Sequence, residues 1–145
     1  MDPAVENTLD PAELHDRFES LHDSVIRQVE VRYAHEVGLT ATVKVESIDP
    51  IRSGVPALGP GGVPLHFSRL TFELAGVSEF RVAKRFNYDF VVVFEARLAR
   101  LEGDWWLCLD DTPFNPGEAG TVDEFRESEF YLRCTDVGIR WSSLD

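Results

Sequence analysis

The sequence lacks the features that mark secreted and membrane proteins. Its 145 residues include two cysteines, Cys108 and Cys134, too few for a disulfide framework; both have apolar or β-forming neighbours, which predicts buried free thiols. The longest wholly apolar run covers only 90–94, whereas a membrane-spanning helix needs roughly 20 residues. The first residues form neither a basic nor an apolar signal segment. We therefore expect a cytoplasmic protein that does not associate with membranes.

Positive charge is also scarce. The chain has 14 Lys and Arg against 26 Asp and Glu, a formal charge of −12, and a pI of about 4.7. Such an excess of acid opposes binding to a phosphate backbone and docking on an anionic bilayer. We therefore expect no nucleic-acid partner.

Motifs for catalysis, cofactors and metals are missing as well. No Gly-x-Ser-x-Gly occurs, and the glycines at 59–62 are not followed by Gly-Lys-Ser/Thr, so they form no phosphate loop. His15, His22 and Asp23 could approach one metal ion, but a structural zinc site usually needs four ligands. We instead assign His22 and Asp23 a structural role at the junction between a helix and a strand. The sequence predicts a non-enzymatic protein with no cofactor and no metal.

The residues that are present predict one domain over 1–145. Asp10 followed by Pro11 is typical of a helix start, and Leu14, Phe18 and Leu21 form an apolar stripe on the helix that follows. A capping box at Thr121 predicts a short helix near 122–129. Residues 1–9 are expected to be a flexible N-terminus, and 50–64 an exposed loop rich in proline and glycine.

Between these segments the apolar residues alternate, as in strands with one buried face. Alternating runs occur at 25–33, 39–45, 70–74, 90–98, 105–109 and 130–141. The first two, joined by a short turn at 35–38, predict a hairpin. The last run changes phase, which indicates either a β-bulge or a turn at Asp136. We predict a mainly β (α+β) fold, with an antiparallel sheet, sandwich or partly closed barrel of about seven strands and one N-terminal helix.

The negative charge is unevenly distributed. Residues 1–24, 25–101, 102–136 and 137–145 carry net charges of −6, +2, −8 and 0. Grouped charge of this kind attracts a basic partner and speeds association; the alternative is that it only keeps the protein in solution. The predicted partner-binding residues are Asp104, Trp106, Asp110, Asp111, Glu124 and Glu127.

Trp106 is the predicted anchor of that interface. Adjacent residues on a strand face opposite ways, so one of Trp105 and Trp106 can fill the core while the other lies on the outer face. An exposed tryptophan is a frequent interface anchor. A helix packed over the outer face would bury it instead.

Two segments resemble a known class of proteins. The run Leu21-His22-Asp23-Ser24-Val25-Ile26 resembles the opening of small β-rich bacterial immunity proteins of polymorphic toxin systems, in which a helix, an (F/L)HD(S/A) motif and a strand follow one another. The run 70–77, Leu-Thr-Phe-Glu-Leu-Ala-Gly-Val, resembles a later strand of such proteins. The long loop at 50–64 departs from their pattern. The resemblance implies a non-enzymatic protein that binds and neutralises a toxin, and it supplies no catalytic residue.

Three hypotheses follow. The first is a bacterial binding protein, such as an immunity protein, that masks a basic toxin domain through an acidic face. The second is a β-barrel or sandwich that binds a small ligand between aromatic side chains such as Phe72, Phe94 and Trp105, with weak hydrolase activity. The third is a domain that assembles with itself through a sheet edge. The chain is expected to be a monomer or a homodimer.

Overall fold

The computed structural model describes residues 5–21, 23–53, 65–83, 91–93, 95–109 and 120–144. Its strands are β1 (Asn7–Leu9), β2 (Ser24–Ala34), β3 (Gly38–Ile48), β4 (Phe67–Ala75), β5 (Glu79–Val82), β6 (Val91–Val93), β7 (Arg97–Leu101), β8 (Asp104–Cys108), β9 (Phe130–Cys134) and β10 (Asp136–Ser143). Its helices are α1 (Leu14–Phe18), preceded by a 3-10 turn at Pro11–Glu13, α2 (Pro50–Ser53) and α3 (Val122–Glu127). The predicted mainly β fold is confirmed, with ten described strands where about seven were expected.

The strands form two antiparallel sheets that do not close into a barrel. One has six strands in the order β1-β10-β4-β3-β2-β6, and the other has four in the order β5-β9-β8-β7. The predicted hairpin of β2 and β3 is present, and its register shifts at a bulge between Ile26 and Gln28.

One core joins the inner faces of both sheets. The larger sheet contributes Val43 and Phe72, and the smaller contributes Leu107 and Leu132, all fully buried. Leu14 and Phe18 of α1 extend this core, as the apolar stripe predicted. Because successive strand residues face opposite ways, the alternating pattern of each strand leaves its other face outside this core.

The phase change in the last apolar run comes from a change of sheet. Strand β9 ends at Cys134 in the four-stranded sheet, and β10 begins at Asp136 in the six-stranded one. The bulge interpretation was wrong, and the turn near Asp136 was the correct alternative. Gly76 makes this crossing possible: it has φ +64, and a Cβ there would lie 2.2 Å from Oγ1 of Thr135.

Two expectations about chain termini and loops need correction. Asn7–Leu9, expected to be flexible, pair with Ile139–Trp141 as an edge strand, because the edge of β10 offers free backbone groups. The expected loop at 50–64 begins with the helical turn α2; Asp49 accepts the backbone N–H of Ile51 there, at 3.1 Å. Residues 54–64 lie outside the described part of the chain.

Candidate functional site

Trp106 lies in a second, smaller core on the outer face of the four-stranded sheet. Helix α3 covers this face and places Phe125 against the indole, with ring centroids 5.8 Å apart. Tyr131 stacks on the indole from the neighbouring strand at 6.1 Å. Nε1 of Trp106 donates to the carbonyl of Leu101 at 3.2 Å. Trp106 is 0% exposed. The prediction of an exposed anchor was therefore wrong, because a helix covers the outer face.

Arginines and carboxylates surround this buried tryptophan. The guanidinium groups of Arg133 and Arg126 lie 4.9 and 5.5 Å from the indole centroid, distances suited to cation–π attraction. Nε of Arg133 donates to Asp104 at 2.7 Å. Asp104, a predicted partner-binding residue, is thus engaged within the molecule.

Glu79 completes the network. Arg126 donates to both of its carboxylate oxygens, at 2.8 and 3.1 Å, and the hydroxyl of Tyr131 donates at 2.8 Å. The hydrogen bonds from Arg126 hold the pKa of Glu79 below its ordinary value, against the opposing effect of burial. This carboxylate therefore stabilises the packing of α3 on the sheet.

The remaining acids of α3 have no such partners. Thr121 caps the helix by accepting the N–H of Glu124 at 3.2 Å, and Phe125 is the buried side chain that holds it. Asp123 and Glu127 are exposed and Glu124 is half-buried. None of these three carboxylates has an ion pair within the described residues. They are free to meet a cation from another molecule.

The N-terminal helical segment shows the same arrangement. Glu13, Asp16 and Glu19 are exposed and have no ion pair in the described part of the chain. The one base of this segment, Arg17, points inward instead: it pairs with Asp49. Glu13, Asp16 and Glu19 are thus left without a compensating cation among the described residues.

His15 fastens α1 to the edge of the four-stranded sheet. Its Nε2 accepts the backbone N–H of Leu98 on β7 at 3.0 Å, and its Nδ1 lies 2.7 Å from the carbonyl oxygen of Glu19. Because Nε2 accepts, Nδ1 carries the proton and donates, as in neutral imidazole. The N–H of Ala96 also donates to the carbonyl of Ser20, at 2.7 Å. The acidic helix therefore lies beside the β7–β8 hairpin, whose other strand packs under α3.

Arg17 and Asp49 form a buried ion pair that sequence reasoning missed. The two side chains make two parallel hydrogen bonds of 2.8 Å, and the Asp49 side chain is 0% exposed. The guanidinium lies 4.3 Å from the Phe18 ring and 4.6 Å from the Trp141 ring, while Ser68 donates to Asp49 at 3.0 Å. Because 32 residues separate Arg17 from Asp49, no local sequence pattern indicates the pair. The one hint in the sequence is that an aspartate directly follows an alternating strand.

The other predicted residues are distributed as follows. Both cysteines are free and buried, as predicted; Cys108 lies in the core under α3 and Cys134 in the core between the sheets. Burial raises the pKa of the Cys134 thiol to about 12, so it is no nucleophile near neutral pH. Asp23 lies in the turn between α1 and β2, with φ 61. His22, Asp110 and Asp111 lie outside the described residues.

Two of the three aromatic side chains named for the ligand pocket of the second hypothesis pack into the core. Phe72 is 0% exposed in the central core and Trp105 packs against that core, while Phe94 lies outside the described residues. Phe72 and Trp105 thus lie in the interior between the sheets. A pocket of different character lies on the larger sheet and is lined by polar and charged side chains.

Comparison of the chain with protein-family models, curated proteins and solved structures gives no match. In the described part of the chain, every helix is too short or too polar to cross a membrane.

Proposed function

We propose that this chain is a non-enzymatic binding protein that masks a basic partner, as the resemblance to bacterial immunity proteins implies. The observation that carries the proposal is a division among the carboxylates. Five of those on the strands, Glu30, Glu46, Glu73, Glu79 and Asp104, pair with arginines of the same molecule, whereas six on the two acidic helical segments have no ion pair within the described residues. The six are Glu13, Asp16, Glu19, Asp123, Glu124 and Glu127.

Unpaired carboxylates of this kind do little for the fold. Asp123 and Glu127 are four residues apart on α3, and like charges at this spacing destabilise a helix by a few tenths of a kcal/mol. Glu127 also lies in the last turn, where the helix dipole disfavours negative charge. A cationic partner removes both unfavourable effects on binding.

The placement of the helices supports a common contact surface. Helix α1 is fastened to β7 through His15, and α3 packs on β8 through Trp106. The two acidic segments therefore flank one hairpin, and each is anchored by buried side chains, Leu14 and Phe18 in one and Phe125 in the other. Charge held on such a scaffold attracts a basic surface quickly and in a salt-dependent way.

The test uses the product of the neighbouring gene, since an immunity gene lies beside its toxin gene. Binding of the two purified proteins is measured by calorimetry and stopped-flow at low and high salt. We expect D123N/E127Q to slow association about five- to tenfold at low salt. The control E30Q/E36Q removes the same charge from the β2–β3 hairpin and should change the rate less than about twofold.

Two outcomes would contradict the proposal. One is binding that is insensitive to salt and to D123N/E127Q. The other is an equal effect of both double variants, which would show that only the total charge matters.

A further inference from the structure

We propose that the outer face of the six-stranded sheet carries a binding site for a phosphate-class oxyanion. This site is independent of the acidic helices. It is a pocket of about 210 Å³ lined by Lys44, Arg69, Arg140, Thr71, Ser142, Glu6 and Trp141. Pockets for drug-sized ligands are roughly 300–1,000 Å³, so this one suits a small group.

The strand register explains why a hollow forms here. Thr71 on β4 lies opposite Lys44 on β3 and opposite Arg140 on β10. Directly opposed side chains on a sheet have Cβ atoms about 4.5–5.5 Å apart, so a small threonine stands between two long cationic side chains. Thr71 is 9% exposed and forms the floor. Arg69 and Ser142, also opposite each other, close one side.

The cations of this pocket differ in how many of their donor groups already have a partner. Arg69 donates to Glu46 at 3.0 Å, and Arg140 pairs with Glu6 and Glu73 through its two terminal nitrogens. Lys44 has no ion pair or hydrogen bond within the described residues. Nε of Arg140 is buried and also has no partner there. Two residues that line the pocket, Lys44 and Arg140, thus each have a donor group without a partner among the described residues.

This donor set favours a tetrahedral oxyanion. Lys44, Arg69 and Arg140 approach from three different strands, and the hydroxyls of Thr71 and Ser142 add donors from the floor and side. A phosphate group offers oxygens in several directions and forms short, charge-assisted hydrogen bonds with such groups. A planar carboxylate has fewer oxygens to share among them.

Glu6 acts as an internal competitor in this arrangement. Among the described residues it is the one carboxylate that lines the pocket. It lies directly before β1 and pairs with Arg140. Removing its charge leaves the cations in place and frees a guanidinium donor. Neutralising Glu6 should therefore tighten anion binding, whereas removing Lys44 should weaken it.

The experiment is a titration of the full chain with inorganic phosphate, sulfate or acetate at constant ionic strength, set with sodium chloride. Amide NMR shifts of residues on β3, β4 and β10 locate the site and give the affinity. We expect saturable phosphate binding that K44M weakens about tenfold or more and E6Q tightens about threefold. The control R32Q removes an exposed cation on β2 and should change the affinity less than about twofold.

Circular dichroism and thermal unfolding establish that each variant is folded. Two results together support the site: NMR shifts that are confined to the three strands, and a phosphate affinity that falls in K44M and rises in E6Q. Tighter binding of acetate than of phosphate would overturn the assignment to a tetrahedral oxyanion. Absence of saturable binding, or equal binding by K44M and the unmodified chain, would overturn the site itself.

Discussion

The carboxylates of the strands and those of the short helices are used differently in this molecule. On the strands, Glu46 pairs with Arg27 and Arg69, Glu79 with Arg126, and Asp104 with Arg133. On α1 and α3 the carboxylates face solvent without a cation from the described residues. The strand acids stabilise contacts between elements, and the helix acids leave a negative surface.

Sheet geometry accounts for the difference. Arg69 lies opposite Glu46 in the register of β3 and β4, and opposite charges in such cross-strand positions attract. A five- or six-residue helix has few positions three or four residues apart. On α3 one such pair is Asp123 and Glu127, which repel. Most carboxylates of the strands thus have an arginine supplied by the fold, whereas the carboxylates of α1 and α3 have none among the described residues.

The largest expected effect comes from truncating the buried tryptophan in the core under α3. Trp106→Ala should lower the free energy of unfolding by about 3–5 kcal/mol, because it leaves a cavity beneath Phe125 and Tyr131. Urea unfolding followed by circular dichroism measures this change. The control Trp105→Ala truncates a half-buried tryptophan on the same strand and should cost less. A loss below about 1 kcal/mol for Trp106→Ala would contradict its role as a core residue.

The next effect concerns the buried ion pair that anchors α1. Asp49→Asn should cost about 3 kcal/mol, since it leaves the largely buried guanidinium of Arg17 without its counterion. Urea unfolding measures the change, with Glu30→Gln as the control, because the pair of Glu30 with Arg32 is exposed and contributes at most about 1 kcal/mol. Adding Arg17→Met to Asp49→Asn should recover part of the loss. Equal effects of Asp49→Asn and Glu30→Gln would contradict this interpretation.

A smaller effect is the stability that the strand carboxylates contribute and that is lost in acid. Hydrogen bonds from Arg126 lower the pKa of Glu79; for Glu46 burial raises the pKa, but the hydrogen bonds from Arg27 and Arg69 outweigh it and the net pKa is lowered. A carboxylate with a lowered folded pKa contributes stability that is present above its ordinary value of 4.5 and is lost as the pH falls through the folded pKa. Unfolding measured between pH 6 and pH 3 should therefore show a shallower acid loss in E79Q than in the unmodified chain. If the free energy of unfolding falls with pH equally steeply in E79Q and in the unmodified chain, the contribution assigned to Glu79 is contradicted.

The smallest expected effect concerns the unpaired carboxylates of α3. D123N/E127Q should change the free energy of unfolding by no more than about 0.5 kcal/mol, because the repulsion that it removes is offset by the loss of the favourable interaction of Asp123 with the helix N-terminus. Thermal and urea unfolding measure this change at low salt, where the repulsion is least screened. A clear loss of stability would show that these acids have internal partners and are not reserved for binding.

Much of the fold could be predicted because the signals are local. The alternation of 25–33 and 39–45 gave a hairpin, Asp10 and Thr121 mark two helix starts, and both cysteines are buried as their neighbours indicated. The same reasoning was insufficient at Trp106: alternation shows that one indole faces outward, but not whether a helix 16 residues further on covers it. The negative candidate surface was predicted from segment charges, while the pairing of Asp104 with Arg133 was not.

The sequence by itself determined the longer strands, two helix caps and the concentration of negative charge in two segments, since each depends on residues close together in the chain. Only the tertiary structure decided which carboxylates have cations beside them. It joined Arg17 to Asp49, placed Lys44 and Arg140 on either side of Thr71, and sent β9 and β10 into different sheets. The physical reason is that these contacts depend on which strands become neighbours, and strand order is set by the packing of the whole core.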